Sequence, residues 1–342
     1  MESGNGHGQR PVTLRDIARE AGVSINTVSR ALNGKPDVSD ATRALVQSVA
    51  ARLDYRPNQL ARGLRQQRTA TIGVVVADLA NPFFAEVVEG IERTASQEGY
   101  SIILANTEEK QDREQQAVRT LVERQVDGIL IAPTQSSDDA IRYLMQRHVP
   151  FVLLARFFEG LDVPAVVNDD REGARLAVRH LVQRGHRDIL YLNGPPYNSS
   201  ARLRLAGYRD ALEEAEIPFR PSLVISTDAR STGGYAAIQQ ALAGGLRFTA
   251  VFCFSDYVSF GAIRALRQAR LSIPKDVAVM GYDDIDLSAI VEPALSTVHI
   301  AKTRLGQVAA RMLMGMMGGS AAPAERVGVA VLSPQVVIRE SA

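Results

Sequence analysis

Asn26 and Arg30 lie four residues apart on one face of a short segment with helical apolar spacing. Such side chains can each form a pair of hydrogen bonds with a base edge, asparagine with adenine and arginine with guanine. A major groove admits a single helix, so an outward Asn and Arg on a short helix read as a base-contacting face, with Arg30 the leading candidate. A second set of chemical groups lies far along the chain. Phe83 and Phe84, the run from Asn198 through Ser200 to Arg204, then Asp256 and Asp283, each follow a short apolar stretch. Aromatic faces, arginines and a few carboxylates brought together suit a cleft for a polar small molecule.

Other chemistries lack their residues. No G-x-G-x-x-G or G-x-x-x-x-G-K-[ST] run follows an apolar stretch, there is no HExxH, and His7, His148, His180, His186 and His299 show no metal-ligand spacing. His186 follows a helical pattern and is read as terminating it by interacting with its final carbonyls. The single cysteine, Cys253, excludes an intramolecular disulfide and any multi-cysteine metal site, and its apolar surroundings place it in a core. Neither a cofactor nor a metal is expected.

The elements that position Asn26 and Arg30 can be read locally. Residues 13–20 and 24–32 carry helical spacing on either side of Ala21-Gly22-Val23, where glycine permits a sharp turn. Thr13 and Ser24 stand at N-cap positions. Val28, Ala31 and Leu32 share an inward face, while Ile25, Asn26, Ser29 and Arg30 share the outward one. A third helical pattern follows, then Asn58 to Arg65, too short for a stable isolated helix. There Leu60 and Leu64 share a face, with Arg62, Arg65 and Arg68 around them. An apolar residue flanked by arginines suits a wedge in a minor groove, although a flexible linker has the same composition. Likewise a small three-helix domain that binds protein could carry a merely solvated polar face.

Charge distribution favours nucleic acid. Residues 1–68 hold 11 Arg or Lys and 6 Asp or Glu, leaving 28 basic and 32 acidic residues of the whole-chain totals of 39 and 38. The overall charge of +1 thus hides a basic head on a mildly acidic body.

In the body, short apolar strands alternate with longer amphipathic helices from Thr71 onward. Strands are predicted at 72–76, 102–105, 128–132, 151–155, 189–193, 223–226, 250–254 and 277–281. This alternation implies parallel sheets covered on both faces, and the length suits two sheets better than one. Ligands of such sheets bind beyond the strand carboxyl ends, which is where the cleft candidates fall. At 342 residues the chain exceeds one typical domain, and no apolar run approaches the ~20 residues of a membrane span. With no secretory h-region at the N-terminus, a cytoplasmic protein without a membrane partner is expected.

The order of helix-turn-helix, third helix, R-P-N-x-x-A-R-x-L run and alternating strands and helices resembles the lactose, galactose and purine repressor family of bacterial transcription regulators. The resemblance spans Thr13 to about Arg339. It implies an α/β protein: an all-α helix-turn-helix head plus two doubly wound parallel-sheet lobes like those of periplasmic binding proteins. Its implied divisions are a head at 11–57, a hinge at 58–69 and an effector-binding and dimerisation region at 70–342, while residues 1–10, rich in Gly and polar groups, read as a disordered leader. Within that region one lobe takes about 70–168 and 298–327, the other about 169–297 and 328–342. Ile25, Asn26 and Arg30 match the family's base-reading positions, with Ile25 suited to a thymine methyl. Thr13, Ser24, Thr27, Ser29, Arg62 and Arg65 are assigned to the DNA backbone, and Leu64 to the minor-groove wedge. Phe83, Phe84, Arg156, Asn198, Ser200, Arg204, Asp256 and Asp283 are assigned to the effector.

One departure concerns the effector. Many relatives place an aspartate before the arginine at the end of the fourth strand, where this chain has Ala155 before Arg156; Phe157, Phe158 and Phe254 add apolar bulk there. That implies an effector less hydroxylated than a simple sugar. The expected function is a dimeric repressor that binds a pseudo-palindromic operator with an affinity set by a small metabolite. A solute-binding protein of a transport system would share only the body, and an enzyme on the same lobes lacks a recognisable catalytic motif.

Overall fold

The computed structural model describes residues 12–55, 68–318 and 328–342. The expected leader and the hinge residues Arg62, Leu64 and Arg65 lie outside them. The chain divides into two compact units, residues 1–67 and 68–342.

In the first unit, α1 (Leu14–Ala21), α2 (Ile25–Leu32) and α3 (Asp40–Arg52) enclose Ile17, Val28, Ala31, Val46 and Val49. Each helix begins on a short polar residue. The Asp16 carboxylate accepts the backbone N–H and hydroxyl of Thr13, and Ser24 Oγ accepts the N–H of Thr27 at 3.0 Å. These bonds satisfy donors that the first turn leaves unpaired. Between α1 and α2, Gly22 takes φ 65°, the left-handed conformation glycine adopts without penalty.

The second unit holds two parallel sheets. β1 (Thr71–Val76), β2 (Ser101–Asn106), β3 (Gly128–Ile131), β4 (Phe151–Leu154), β5 (Ala165–Asn168) and β11 (Val329–Leu332) form the first, in the order β11-β5-β4-β3-β1-β2. β6 (Ile189–Asn193), β7 (Val224–Ser226), β8 (Ala250–Cys253) and β9 (Ala278–Met280) form the second, in the order β7-β6-β8-β9. Central strands such as β3, β4, β6 and β8 are buried along their whole length, which is why they read as continuous apolar runs. On the first sheet lie α4 (Pro82–Gln97), α5 (Gln111–Glu123), α6 (Asp139–Gln146) and α12 (Lys302–Met316). The second carries α7 (Asp170–Gln183), α8 (Ser199–Glu214), α9 (Ser231–Ala243) and α10 (Asp256–Gln268), with the short α11 (Leu287–Ile290) beyond β9.

Three crossings join the lobes. After β5 the chain enters α7; β10 (Thr297–His299) leads from the second lobe to α12; β12 (Gln335–Val337) leads back from β11 and pairs antiparallel with β10. The expected lobe boundary at 327/328 is corrected here, because β11 pairs with β5 and completes the first sheet before the chain returns. An edge strand with Val329 and Val331 half-exposed carries too little buried apolar pattern to be seen in advance. The last residues are fixed: Val279 N–H donates to Ser341 O at 2.7 Å, and Ser341 Oγ donates to Val279 O at 2.6 Å.

Candidate functional site

Two sites emerge, one in each unit. On α2, Val28 and Ala31 are buried whereas Ile25, Asn26 and Arg30 are exposed, Ile25 by 44%, a large apolar side chain left in water. The three form one outward face, as amphipathic spacing requires. Arg30 Nη2 meets Asp37 Oδ2 at 2.5 Å. Ser24 and Thr27 share a hydroxyl contact of 2.8 Å at the helix start, Ser29 is half-buried, and Thr13 is exposed at the start of α1. Thr13, Ser24 and Thr27 are therefore placed where a nucleic-acid backbone could meet helix N-termini, whereas Ser29 and Arg30 lie further along α2.

The second site lies between the lobes, at the carboxyl ends of both sheets. A cavity of about 50 Å3 is lined by Asn81, Phe83, Phe84, Ala155, Arg156 and Asn168 from the first lobe, and Asn198, Ser200, Arg204, Phe254, Ser255 and Asp283 from the second. Seven of the eight sequence-expected effector residues are brought together. Asp256 is not, and that expectation is corrected. It is fully buried behind the cavity, where Oδ1 accepts Thr297 Oγ1 at 2.5 Å and Oδ2 accepts Ser288 Oγ at 2.7 Å and the N–H of Ile285 at 3.0 Å. Its neighbour Ser255, the N-cap of α10, faces the cavity instead. Burial pushes the Asp256 carboxyl up to about 6 despite those bonds.

Arg204 is the anchor of the second-lobe wall. Its Nε donates to Asp170 at 2.8 Å, Nη1 donates to the carbonyl of Phe254, and Nη2 lies 3.8 Å from Asp283 Oδ1. The guanidinium is stacked 3.6 Å from the Tyr282 ring centroid and 4.6 Å from that of Phe254, so its plane is fixed. Opposite it, Phe83 and Phe84 meet edge to face at 5.0 Å, held by α4, which Asn81 caps through the N–H of Phe83. Arg156 is spent within its own lobe. It bonds both oxygens of Glu109, at 2.6 and 3.0 Å, and the Pro133 carbonyl at 2.7 Å.

Two polar groups face the cavity without strong partners. Among the described residues Asn168 Oδ1 is buried with no hydrogen-bond donor, and the Asp283 carboxyl pairs with Arg204 at 3.8 Å. Burial drives the Asp283 carboxyl well above its usual range, against the pull of Arg204. A buried acceptor without a donor costs ~1–3 kcal/mol, so a ligand that brings hydroxyls would relieve it. Asn168 was not among the sequence candidates, since β5 itself was not recognised as a strand. It also restores polarity that Ala155 appeared to remove.

The lobes meet across the cavity through direct bonds. Ser199 N–H donates to Gln135 Oε1 at 2.8 Å, Ser200 Oγ to the Ala155 carbonyl at 3.2 Å, and Arg230 pairs with Asp78 at 3.1 Å. Below Arg156, the buried Glu114 accepts the N–H of Thr134 at 2.6 Å, and burial pushes its carboxyl up to about 7. Among the described residues no His, Cys, Asp or Glu cluster could hold a metal ion, and no helix is long and apolar enough to cross a membrane.

Comparison with known proteins gives matches over both units. Residues 13–58 match the family described as bacterial regulatory proteins, lacI family, and residues 69–337 match periplasmic binding proteins and sugar binding domain of LacI family. The chain is 39% identical to the ribose operon repressor of Haemophilus influenzae, covering 96% of this chain and 98% of that one. It is 35% identical to the HTH-type transcriptional regulator GalR of Escherichia coli, covering 96% and 95%. Among solved structures, a lac repressor dimer bound to operator and the anti-inducer ONPF superposes with TM-score 0.87 at 31% identity, covering 97% and 99%. A CelR–cellobiose complex superposes with TM-score 0.75 at 32% identity, covering 97% and 100%.

Proposed function

The chain belongs to the lacI family of bacterial regulatory proteins, and from that premise we propose that it represses transcription in the cytoplasm as a homodimer on a pseudo-palindromic operator. Its hold on DNA responds to an effector in the cleft. The observation that carries this reading is the joining, in one chain, of an exposed Ile25-Asn26-Arg30 face and a cavity lined by polar and aromatic side chains, among them the unfilled acceptor Asn168 Oδ1. A transport solute-binding protein would account for the second unit alone, and the match at residues 13–58 separates the two readings. The relatives are named as regulators, which supports a protein that binds its ligand without turning it over.

The effector is an uncharged polyol. Arg156 is neutralised by Glu109 and Arg204 by Asp170, so neither has charge to spare for a phosphate or carboxylate. Asn168 Oδ1 calls for a hydroxyl donor, the Asp283 carboxyl can exchange a hydrogen bond with a further hydroxyl, and Phe83 and Phe84 offer an apolar wall to a sugar ring.

A thermal-shift series with D-ribose, D-galactose, cellobiose, ribose 5-phosphate and adenine tests the class. A neutral monosaccharide should raise the melting temperature by mass action, and a response confined to the phosphate or the nucleobase would overturn the reading. For the head, a duplex selected from random DNA provides the operator. Arg30→Ala should weaken it by ~1–3 kcal/mol and relax preference at one base pair per half-site. An unchanged preference would move the reading face elsewhere.

A further inference from the structure

Lys302 is the first residue of α12 and is only 3% exposed. That is an unfavourable place for a cation on two counts. Burial strips its water, and the N-terminus of a helix already carries partial positive charge. Lysines are almost never fully buried unless paired, so its partners must offset both costs. They number three, one for each ammonium proton. Nζ donates to the carbonyls of Asp283 at 2.8 Å and Asp284 at 2.6 Å, and meets Glu86 Oε2 at 3.4 Å.

Those partners belong to different lobes. Asp283 and Asp284 follow β9 in the second lobe, whereas Glu86 is on α4 of the first, two residues past Phe84. Both elements present side chains to the cavity: Asp283 from the loop, Phe83 and Phe84 from α4. The loop also holds an unusual backbone, with φ 114° at Asp283 and 54° at Asp284. Non-glycine residues in such conformations are strained and persist only where surrounding bonds impose them. Here the Asp283 N–H donates to Val298 O at 2.9 Å, Asp284 pairs with His299 at 2.9 Å and Arg339 at 2.7 Å, and Lys302 takes both carbonyls. Among the hydrogen bonds and ion pairs of the described residues, those of Lys302 tie the loop to α4.

We propose that Lys302 is a positioning residue for the effector response, holding the Asp283 carboxylate toward the cavity and making that placement depend on α4 of the opposite lobe. This rests on the reading of Asp283 as an effector contact. An occupied cleft and a closed lobe pair then favour the same arrangement of the loop. Lobe opening draws α4 and Lys302 away, which releases the backbone that aims Asp283.

The test uses the full chain and Lys302→Met, which keeps the stem and removes the charge. In amide hydrogen exchange without ligand, Asp283 and Ile285 should exchange about tenfold faster in the variant while β8 and α8 keep their protection. Unchanged exchange at the loop, or an equal rise throughout the chain, would overturn the proposal. With D-ribose as probe, Lys302→Met and Asp283→Asn should each weaken binding at least about tenfold, and the double variant should bind no worse than Asp283→Asn alone, because one residue acts through the other. Additive losses would sink the coupling. Normal binding by Asp283→Asn would instead remove the underlying effector contact. Should Lys302→Met fail to fold, Lys302→Arg carries the same comparison: it retains the charge but not the three-way geometry, and should show the local exchange change.

Discussion

At the scale of single residues, the buried carboxyls decide how the protein answers to pH. Glu114 is 1% exposed, and its folded pKa of about 7 lies above the ordinary 4.5, so folding favours the protonated form. Its stability contribution is therefore complete below about pH 4.5 and is lost as pH rises through about 7, by roughly 3 kcal/mol in all. Glu114→Gln keeps an acceptor for Thr134 and removes the ionisation. Urea denaturation should find it close to the parent at pH 5 and more stable at pH 8; an equal offset at both values would mean that the carboxyl does not titrate in this window. The residues of the cleft were legible to different degrees for physical reasons. Asp283 stands just past β9 and Arg204 in the second turn of the helix that follows β6, both behind apolar runs that announce them. Asn168 ends β5, whose short apolar run Ala165–Val167 follows β4 without an amphipathic helix between them, so the alternation of strand and helix does not mark it. Asp256 and Ser255 are adjacent, and only the helix start at Ser255 decides which one looks into the cavity and which is turned back to Thr297 and Ser288.

At the scale of elements, the helices of each lobe approach one another through glycine. A Cβ on Gly90 of α4 would lie 2.1 Å from the Thr303 carbonyl of α12, and one on Gly306 of α12 would lie 2.1 Å from the Val87 carbonyl of α4. The obstacle is backbone on both sides, so no rotamer change can relieve it. Gly90→Ala should lower stability by ~1–3 kcal/mol or more through forced separation of the pair. It should also weaken sugar binding, since Thr303 follows Lys302 and the first turn of α12 would move with it. A chemical-denaturation midpoint equal to the parent's would show that the helices are free to part. Pattern alone could place the long amphipathic helices and the eight apolar strands, because those carry their own periodicity. It could not place β10, β11 and β12, whose pairing comes from distant segments; β12 joins β10 with Val298 opposite Val336, partners far apart in the chain.

At the scale of the whole molecule, the two units should respond to ligand separately. An effector that binds only the folded second unit adds RT ln(1 + [L]/Kd), about 2.7 kcal/mol at one hundred times Kd. Scanning calorimetry of the full chain with a saturating monosaccharide should move the transition of the 68–342 unit upward and leave that of the helical head in place. Equal shifts of both would mean that the units melt as one. The coupling that links sugar to DNA need be only ~1–3 kcal/mol, within reach of a few bonds across the cleft such as those of Gln135, Asp78 and Lys302. The triple crossing also bears on how the protein is made. The head is contiguous at the amino end, whereas the six-stranded sheet awaits β11 and the β9 edge awaits Ser341. Both lobes thus stay incomplete until β11 and Ser341 have been synthesised, so the three head helices are complete long before either half of the sensor.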